Sequence, residues 1–275
     1  MSSEVHGASL AVTLGVPMVV AIVYVRGWYR LRRVYPELLN VRRLAAFLGG
    51  LFFLWAAIGS PLAGLDHQWL TAHMAQHLLV MTVAAPLILW GAPVITLLHG
   101  LPRRSAGIVM DLLARDPIAR QLSRIMTHPW FCWLVGTSAV VGWHVPALFE
   151  LAVHSTLWHE VEYGYFFAAG LLFWLPVIQP WPGVAAGPRW GIPVYLFLAT
   201  LPCDALSAFL AFCDRVVYPH YASPHRLSGI SPLADQAAAG ALMWIWVTFA
   251  YLAPATMVTV QNLSPQRRAL NPEVL

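Results

Sequence analysis

The chain has 275 residues, of which 59% are apolar and only 10% charged, against roughly 45–50% and about 25% in soluble proteins. Its net charge is +4, and all 16 basic residues are arginines spread over short stretches between apolar runs. This composition excludes an ordinary soluble domain and argues against a nucleic-acid partner. The three cysteines, Cys132, Cys203 and Cys213, lie in apolar segments, so a disulfide framework is also excluded.

Seven apolar segments long enough to cross a bilayer follow one another along the chain. A membrane helix needs about 20 mostly apolar residues, and the qualifying segments are 9–28, 42–60, 71–98, 129–146, 157–179, 190–213 and 236–260. No basic stretch precedes the first segment, so we expect a retained helix there rather than a cleaved signal peptide. Pro86 and Pro93 predict a kink or an early end in the third. We therefore predict an all-α integral membrane bundle of seven transmembrane helices, a single transmembrane domain over 1–275.

The arginines are unevenly divided between the two sides of this predicted bundle. Fourteen of the 16 fall in the first, third and fifth loops and the C-terminal tail, and only Arg215 and Arg226 fall on the other side. Arginine-rich loops remain in the cytoplasm. We therefore expect the N-terminus outside, the C-terminus in the cytoplasm, and a multi-pass location in a bacterial inner (plasma) membrane.

Two loops differ from simple connections. The stretch 103–127 combines arginines with an apolar helical stripe, and Asp116-Pro117 is typical of a helix restart. We interpret it as two short amphipathic helices at the cytoplasmic interface. The longest outer loop, 214–235, is rich in proline, serine, histidine and tyrosine, and is expected to form an ordered lid or a docking surface.

The predicted topology gathers most of the 11 histidines on the outer side. Those that map to outer loops or outer helix ends are His67, His73, His77, His144, His154, His159, His220 and His225. The simplest interpretation is that such residues lie at the level of the lipid headgroups and bind water. Several of them, however, share helical faces, which also predicts a metal site.

His73 and His77 form the clearest pair. They stand four residues apart on the outer end of the third segment and therefore share one face, which Met81 continues one turn deeper. Two imidazoles one turn apart can bind one metal ion. A thioether beside them favours a soft ion, chiefly Cu(I).

Further candidate ligands lie at the outer ends of the fourth and fifth segments. His159 and Glu162 are three residues apart on one helix, and His144 precedes Pro146. Glu162 could bind the metal directly or could orient an imidazole. The alternative is that the acids of this segment only stabilise the helix N-terminus. The predicted metal ligands are thus His73, His77, His144, His159, Glu162 and Met81, and no catalytic residue is predicted.

The sequence blocks that carry these residues resemble a known family. His73 to Leu79 reads HMAQHLL and is followed by Pro86 and Gly91-Ala92-Pro93. This pattern resembles the signature of the CtaG family of caa-type cytochrome c oxidase assembly factors, and further similarity extends over about residues 40 to 260. The chain departs from the family pattern at Tyr163, where a second histidine is expected.

The resemblance implies a protein that helps to mature a haem–copper oxidase by handling copper for its copper B centre. The expected cargo is copper, as Cu(I), and the expected partners are an oxidase subunit and the lipid bilayer, with a homo-oligomer left open. A haem-binding or redox protein is an alternative, since paired histidines also bind haem. A metal or proton-coupled transporter is another, with Asp204 beside Cys203 and Pro202 as a mid-membrane site. A zinc hydrolase is weaker, because HExxH is absent.

Overall fold

The computed structural model describes residues 2–37, 39–178, 190–222 and 229–264, without the side chains of 2–14, 61–62 and 110–115. Within these ranges the regular structure is helical and no β-strand occurs. Short 3-10 helices cover Pro61–Leu65 and Pro219–Ala222. The other helices are α1 Ser2–Arg32, α2 Val41–Ile58, α3 Leu70–Trp90, α4 Pro93–Gly100, α5 Arg103–Arg115, α6 Pro117–Met126, α7 Pro129–Trp143, α8 Pro146–His154, α9 Thr156–Ile178, α10 Gly191–Phe212 and α11 Pro232–Leu263.

Five of these helices, α2, α3, α9, α10 and α11, are long and apolar enough to cross a membrane. The pair α7 and α8 makes a sixth span if the two are counted together across their 76° bend. This confirms an all-helical, multi-pass membrane protein. The count of seven spans and the orientation remain predictions, because α1 is described only in part and several of the arginines used, Arg189, Arg226, Arg267 and Arg268, lie outside the described residues.

Two predicted segments are divided at a proline that starts a new helix, and for the third segment this confirms the early end predicted from its prolines. The segment 71–98 is not one helix: α3 ends at Trp90, Ala92 adopts a left-handed conformation with φ 51°, and Pro93 begins α4. The segment 129–146 ends at Trp143, and Pro146 starts α8 in a new direction. In both places a proline occupies the first helical position, where its missing N–H costs nothing and its fixed φ favours a new helix.

The stretch 103–127 forms two helices, as predicted. The Asp116 carboxylate accepts a hydrogen bond from the Ile118 N–H at 2.8 Å and so caps the start of α6. No residue of α6 is buried, and the side chains of Ile118 and Leu122 are 75% and 53% exposed. An apolar stripe left uncovered by protein is typical of a helix lying in the membrane interface.

Arg30 and Arg43 lie at the opposite end of α2 and α3 from the histidine pair. At the end where α2 begins and α3 finishes, the Tyr24 hydroxyl donates to the Gly91 carbonyl at 2.6 Å, and the Arg30 guanidinium donates to the His99 carbonyl at 2.8 Å. The histidine pair lies near the start of α3, where α3 packs against α2, α9 and α11. The candidate site is therefore at the end of the bundle away from Arg30 and Arg43, whereas Arg215 lies at the same end as the site.

Two glycines allow α1 and α4 to approach each other closely. A Cβ added at Gly27 would lie 1.8 Å from the Thr96 carbonyl oxygen, and one added at Gly100 would lie 1.9 Å from the Val23 carbonyl oxygen. Because backbone atoms cannot move aside as flexible side chains can, even alanine would push the helices apart. Small residues at such crossings are typical of membrane helices.

We therefore expect Gly27→Ala to lower the free energy of unfolding by about 1–3 kcal/mol, the usual cost of overpacking. Thermal unfolding in detergent measures the change. Gly49→Ala is the matched control, because a Cβ added at Gly49 has no atom within 4 Å. Equal melting temperatures for the two variants would contradict the close crossing.

Candidate metal centre

Three side chains with metal-binding atoms converge between α3 and α9. The Nε2 atoms of His73 and His77 lie 2.8 Å apart, and the Glu162 Oε1 atom lies 3.6 Å from the first and 3.3 Å from the second. These atoms all lie within 4.8 Å of one another. We call this group the His–Glu triad. The i and i+4 spacing of the histidines brings them onto one face, as predicted, and α9 supplies the carboxylate.

The His–Glu triad is almost completely buried. His73, His77 and Glu162 are 1%, 4% and 1% exposed. The aromatic rings of Phe149 and Phe166 lie against the imidazoles of His73 and His77, with centroids 5.0 and 4.1 Å apart. An ionised carboxylate in such surroundings is costly unless a cation or several hydrogen bonds offset its charge. The surroundings of this site therefore favour a bound cation.

Hydrogen bonding inside the His–Glu triad is incomplete. Two neutral imidazoles can place at most one N–H between their facing Nε2 atoms. Among the described residues, neither the Glu162 Oε2 atom nor the His77 Nδ1 atom has a hydrogen-bond partner. Buried polar atoms without partners are rare and point to a missing ion or water. Two nitrogens and one carboxylate oxygen suit copper or zinc rather than magnesium or calcium.

His159 belongs to a second cluster instead of the first. Its Nε2 atom lies 3.2 Å from the Asp66 Oδ2 atom, and the His67 Nε2 atom lies 3.8 Å from Oδ1 of the same carboxylate. His67 is exposed and Asp66 is buried, so this outer cluster reaches the surface. Burial by itself would raise the pKa of the Asp66 carboxyl, but the hydrogen bond from His159 and the nearby His67 together lower that pKa below its usual range.

Tyr163 joins the two clusters without being a ligand of the His–Glu triad. Its hydroxyl donates to the Asp66 Oδ2 atom at 3.2 Å and also forms a short contact with the Gln76 side-chain oxygen. The Tyr163 ring lies beside His77, with centroids 5.0 Å apart. At the position where the resemblance led us to expect a second histidine, this chain therefore has a tyrosine whose hydroxyl contacts Asp66 and Gln76.

His144 and Met81 lie on the other side of the His–Glu triad, in the wall of a cavity. The His144 Nδ1 atom is 2.5 Å from the Val140 carbonyl oxygen, and its Nε2 atom is 3.2 Å from the Met74 sulfur. Met81 lies in a π-helical turn of α3, Val80–Ala84, and its carbonyl accepts a hydrogen bond from the Trp174 indole N–H. Single π-turns often mark functional sites.

The six predicted ligands are thus divided among three neighbouring places. His73, His77 and Glu162 meet in the triad, His159 joins the outer cluster, and His144 and Met81 line the cavity. Other histidines take no part: His154 pairs with Glu150 at 3.2 Å, and its ring lies beside that of His220. His225 lies outside the described residues.

Sequence reasoning missed three residues that the tertiary structure brings to the site. Asp66 anchors the outer cluster, Met74 faces His144, and Asp235 caps the start of α3. The spacing of Met74 next to His73 gave no signal, because neighbouring residues on a helix point about 100° apart. Asp235 is 165 residues from its partner Leu70, so no local pattern could reveal it.

Part of the outer loop 214–235 covers this region. The Tyr218 hydroxyl donates to the His144 carbonyl at 3.1 Å, and the Val217 N–H donates to the Gln236 side-chain oxygen at 2.7 Å. The His220 side chain contacts the His67 carbonyl at 3.2 Å. Residues 223–228 of the predicted loop lie outside the described part of the chain.

Asp204, the carboxylate of the transporter hypothesis, lies within α10. Its Oδ1 atom has no hydrogen-bond partner among the described residues, and its side chain is half-buried. The neighbouring Cys203 thiol is buried and lies 3.9 Å from the Ser207 hydroxyl. Asp204 belongs to neither group of described side chains whose possible ligand atoms lie within 4.8 Å of one another.

Comparisons with known proteins identify the family of the chain. The model of the family described as cytochrome c oxidase caa3 assembly factor (Caa3_CtaG) matches residues 22–264. Uncharacterized proteins of Mycobacterium bovis and Mycobacterium tuberculosis are each 26% identical over 245 residues, covering 82% of this chain and 35% of the relative. The chain thus spans about a third of the length of these relatives. No solved structure matches the chain at a significant level.

Proposed function

Because the chain belongs to the cytochrome c oxidase caa3 assembly factor family, we propose that it holds copper at the His–Glu triad and passes it to the copper B centre of an oxidase subunit. The single observation that supports this proposal is the convergence of His73, His77 and Glu162, whose ligand atoms all lie within 4.8 Å. Copper is the cargo in this proposal, and the chain carries out no chemical reaction on it.

The charges at the site favour Cu(I). One carboxylate and two neutral imidazoles carry a single negative charge, which a monovalent ion balances, whereas a divalent ion would leave an uncompensated charge in an apolar, buried site. The ligands come from rigid helices, with a phenylalanine ring against each imidazole. Rigid support of this kind lets a site select an ion by geometry.

The haem alternative fits these distances poorly. Two histidines that bind one haem approach the iron from opposite faces of the porphyrin. Here the Nε2 atoms of His73 and His77 are 2.8 Å apart on the same helix, which leaves no room for a porphyrin plane between them. An absorbance spectrum without a Soret band is the expected result.

The membrane arrangement is part of the same proposal. Seven spanning helices, counting α1, with the N-terminus outside and the arginine-bearing loops in the cytoplasm, would put the His–Glu triad near the outer face of a bacterial plasma membrane. Copper would then arrive from outside and leave sideways or outward to the oxidase subunit. The exposed His67 of the outer cluster supports an outer approach.

The experiment that tests the proposal removes the charge of the buried carboxylate. We expect Glu162→Gln to weaken Cu(I) binding by at least about 10-fold. Even the replacement of a residue that only hydrogen-bonds to a metal ligand lowers metal affinity about 10- to 100-fold. Competition with a chelator measures the affinity in purified protein. The oxidase isolated from cells that carry the variant should contain less copper.

Glu160→Gln is the matched control, because it makes the same chemical change two residues away on an exposed side chain. It should bind copper as the unmodified protein does. If both variants keep full affinity, the triad does not hold copper and the proposal is wrong.

A further inference from the structure

A small cavity beside the His–Glu triad has four sulfur-bearing side chains in its wall, among aliphatic and aromatic ones. Its volume is about 20 Å³, enough for one water-sized particle. Its wall contains three thioethers, one thiol and two imidazoles, which belong to Met74, Met81, Met243, Cys203, His77 and His144. We call this space the sulfur-lined cavity. His77 belongs both to its wall and to the His–Glu triad.

The His144 imidazole has an unused lone pair in this wall. Its Nδ1 atom is 2.5 Å from the Val140 carbonyl, which can only accept, so the proton of the neutral ring is on Nδ1. The Nε2 atom therefore carries a lone pair and faces the Met74 sulfur at 3.2 Å. A thioether has no proton to donate. Two electron-pair donors thus face each other where a hydrogen bond cannot form.

A metal ion would turn this unfavourable contact into two bonds. Metal–nitrogen and metal–sulfur distances of roughly 2.0 and 2.3 Å, as for zinc, separate the two donor atoms by about 3.5 Å at a tetrahedral angle. The observed 3.2 Å between His144 and Met74 is close to that separation. His144 is 8% exposed and Met74 1% exposed, so bulk water is kept from both.

The donors in the wall select the kind of ion. Thioether and thiol sulfur prefer soft ions, of which Cu(I) is the common biological example, and they bind zinc or magnesium poorly without charge. Methionine also fills gaps in protein cores. Gap filling does not explain why three methionines share the wall of one cavity with an imidazole whose lone pair faces one of them.

We propose that the sulfur-lined cavity is a second metal site, which takes Cu(I) on Met74 and His144, with Met81, Met243 and Cys203 as the surrounding sulfur donors. This inference rests on the proposed function, because it gives the copper ion held at the His–Glu triad a second binding site in the same chain. His77 touches both sites, so an ion can move between them while it keeps one ligand in common. The pair of sites would hold copper in two environments, one rich in nitrogen and oxygen and one rich in sulfur.

The test loads the purified full chain with Cu(I) without oxygen, removes loose metal with a chelator, and measures copper per chain and the X-ray absorption spectrum. We expect two copper ions per chain and a clear copper–sulfur signal. The double variant Met74→Leu with Met243→Leu conserves side-chain volume. It should retain one copper per chain and lose the copper–sulfur signal.

The matched control replaces two exposed methionines, Met18→Leu with Met257→Leu, which are 62% and 63% exposed. It should behave as the unmodified chain does. An unmodified chain without a copper–sulfur signal, or a double variant at Met74 and Met243 that keeps both ions, would overturn the inference. The unmodified chain alone decides the first of these outcomes, so the test does not depend on how well a variant folds.

Glu162→Gln separates the two proposals. Loss of one ion with the sulfur signal retained supports both sites. Retention of both ions overturns the proposal for the His–Glu triad and does not contradict the proposal for the sulfur-lined cavity. Adding Zn(II) instead of Cu(I) should fill only the His–Glu triad, and two tightly bound zinc ions per chain would contradict the selectivity proposed for the cavity.

Discussion

Replacement of His73 and His77 together by alanine is expected to lower the copper content by one ion per chain. The change removes two of the three ligand atoms of the His–Glu triad and leaves the Glu162 carboxylate buried without a partner. A single carboxylate cannot hold Cu(I) against a chelator. Metal analysis of protein purified without a histidine tag measures the loss, and oxidase from the same cells should lack copper at its copper B centre.

The control for this variant is a second pair of histidines from the same end of the bundle. His154 and His220 also lie next to each other, with ring centroids 5.3 Å apart. The His154 side chain pairs with Glu150, and the His220 side chain contacts the His67 backbone carbonyl, so the described contacts of both side chains are outside the triad. Replacing both by alanine should leave copper content unchanged. The variant with His73→Gln and His77→Gln keeps more side-chain volume and should show the same loss. If both triad variants keep the copper content of the unmodified chain, the copper hypothesis is wrong.

Replacement of Asp235 by alanine is expected to lower the free energy of unfolding by about 3 kcal/mol, since hydrogen bonds to a charged group are worth about 1.5–3 kcal/mol. Its carboxylate accepts from the Leu70 N–H at 2.8 Å, from the Thr71 N–H at 3.2 Å and from the Thr71 hydroxyl at 2.6 Å. Asp235 is 2% exposed. Without it, the start of α3 would carry buried N–H groups that nothing satisfies.

The same change should also weaken copper binding, because His73 lies one turn from the capped residues. Unfolding in mixed detergent, followed by tryptophan fluorescence, measures the stability. Asp235→Asn retains one acceptor oxygen and should lower the free energy of unfolding by about half as much as Asp235→Ala does. Asp214→Ala alters an exposed residue and should change stability by less than about 0.5 kcal/mol. If Asp235→Ala and Asp214→Ala unfold at the same detergent composition, Asp235 does not stabilise the start of α3.

Local spacing predicted correctly that His73 and His77 share a helical face, and it predicted their neighbours only in part. His73 and His77 meet because four residues on a helix make about one turn. His159 and Glu162 are three residues apart on α9, yet they go to different clusters. One turn along a helix is about 5 Å, and that distance is enough to place the two side chains beside different groups of α3 and the loop before it.

The sequence by itself determined the class of protein, because hydrophobic runs of membrane length and a shortage of charge allow little else. It also determined the restart at Asp116 and the face shared by His73 and His77, since capping and helical periodicity act over a few residues. Pro93 likewise predicted the early end of α3. Only the tertiary structure decided that Asp235 caps the start of α3. It alone brought His144 to Met74, because contacts between residues far apart in the chain depend on how whole helices pack.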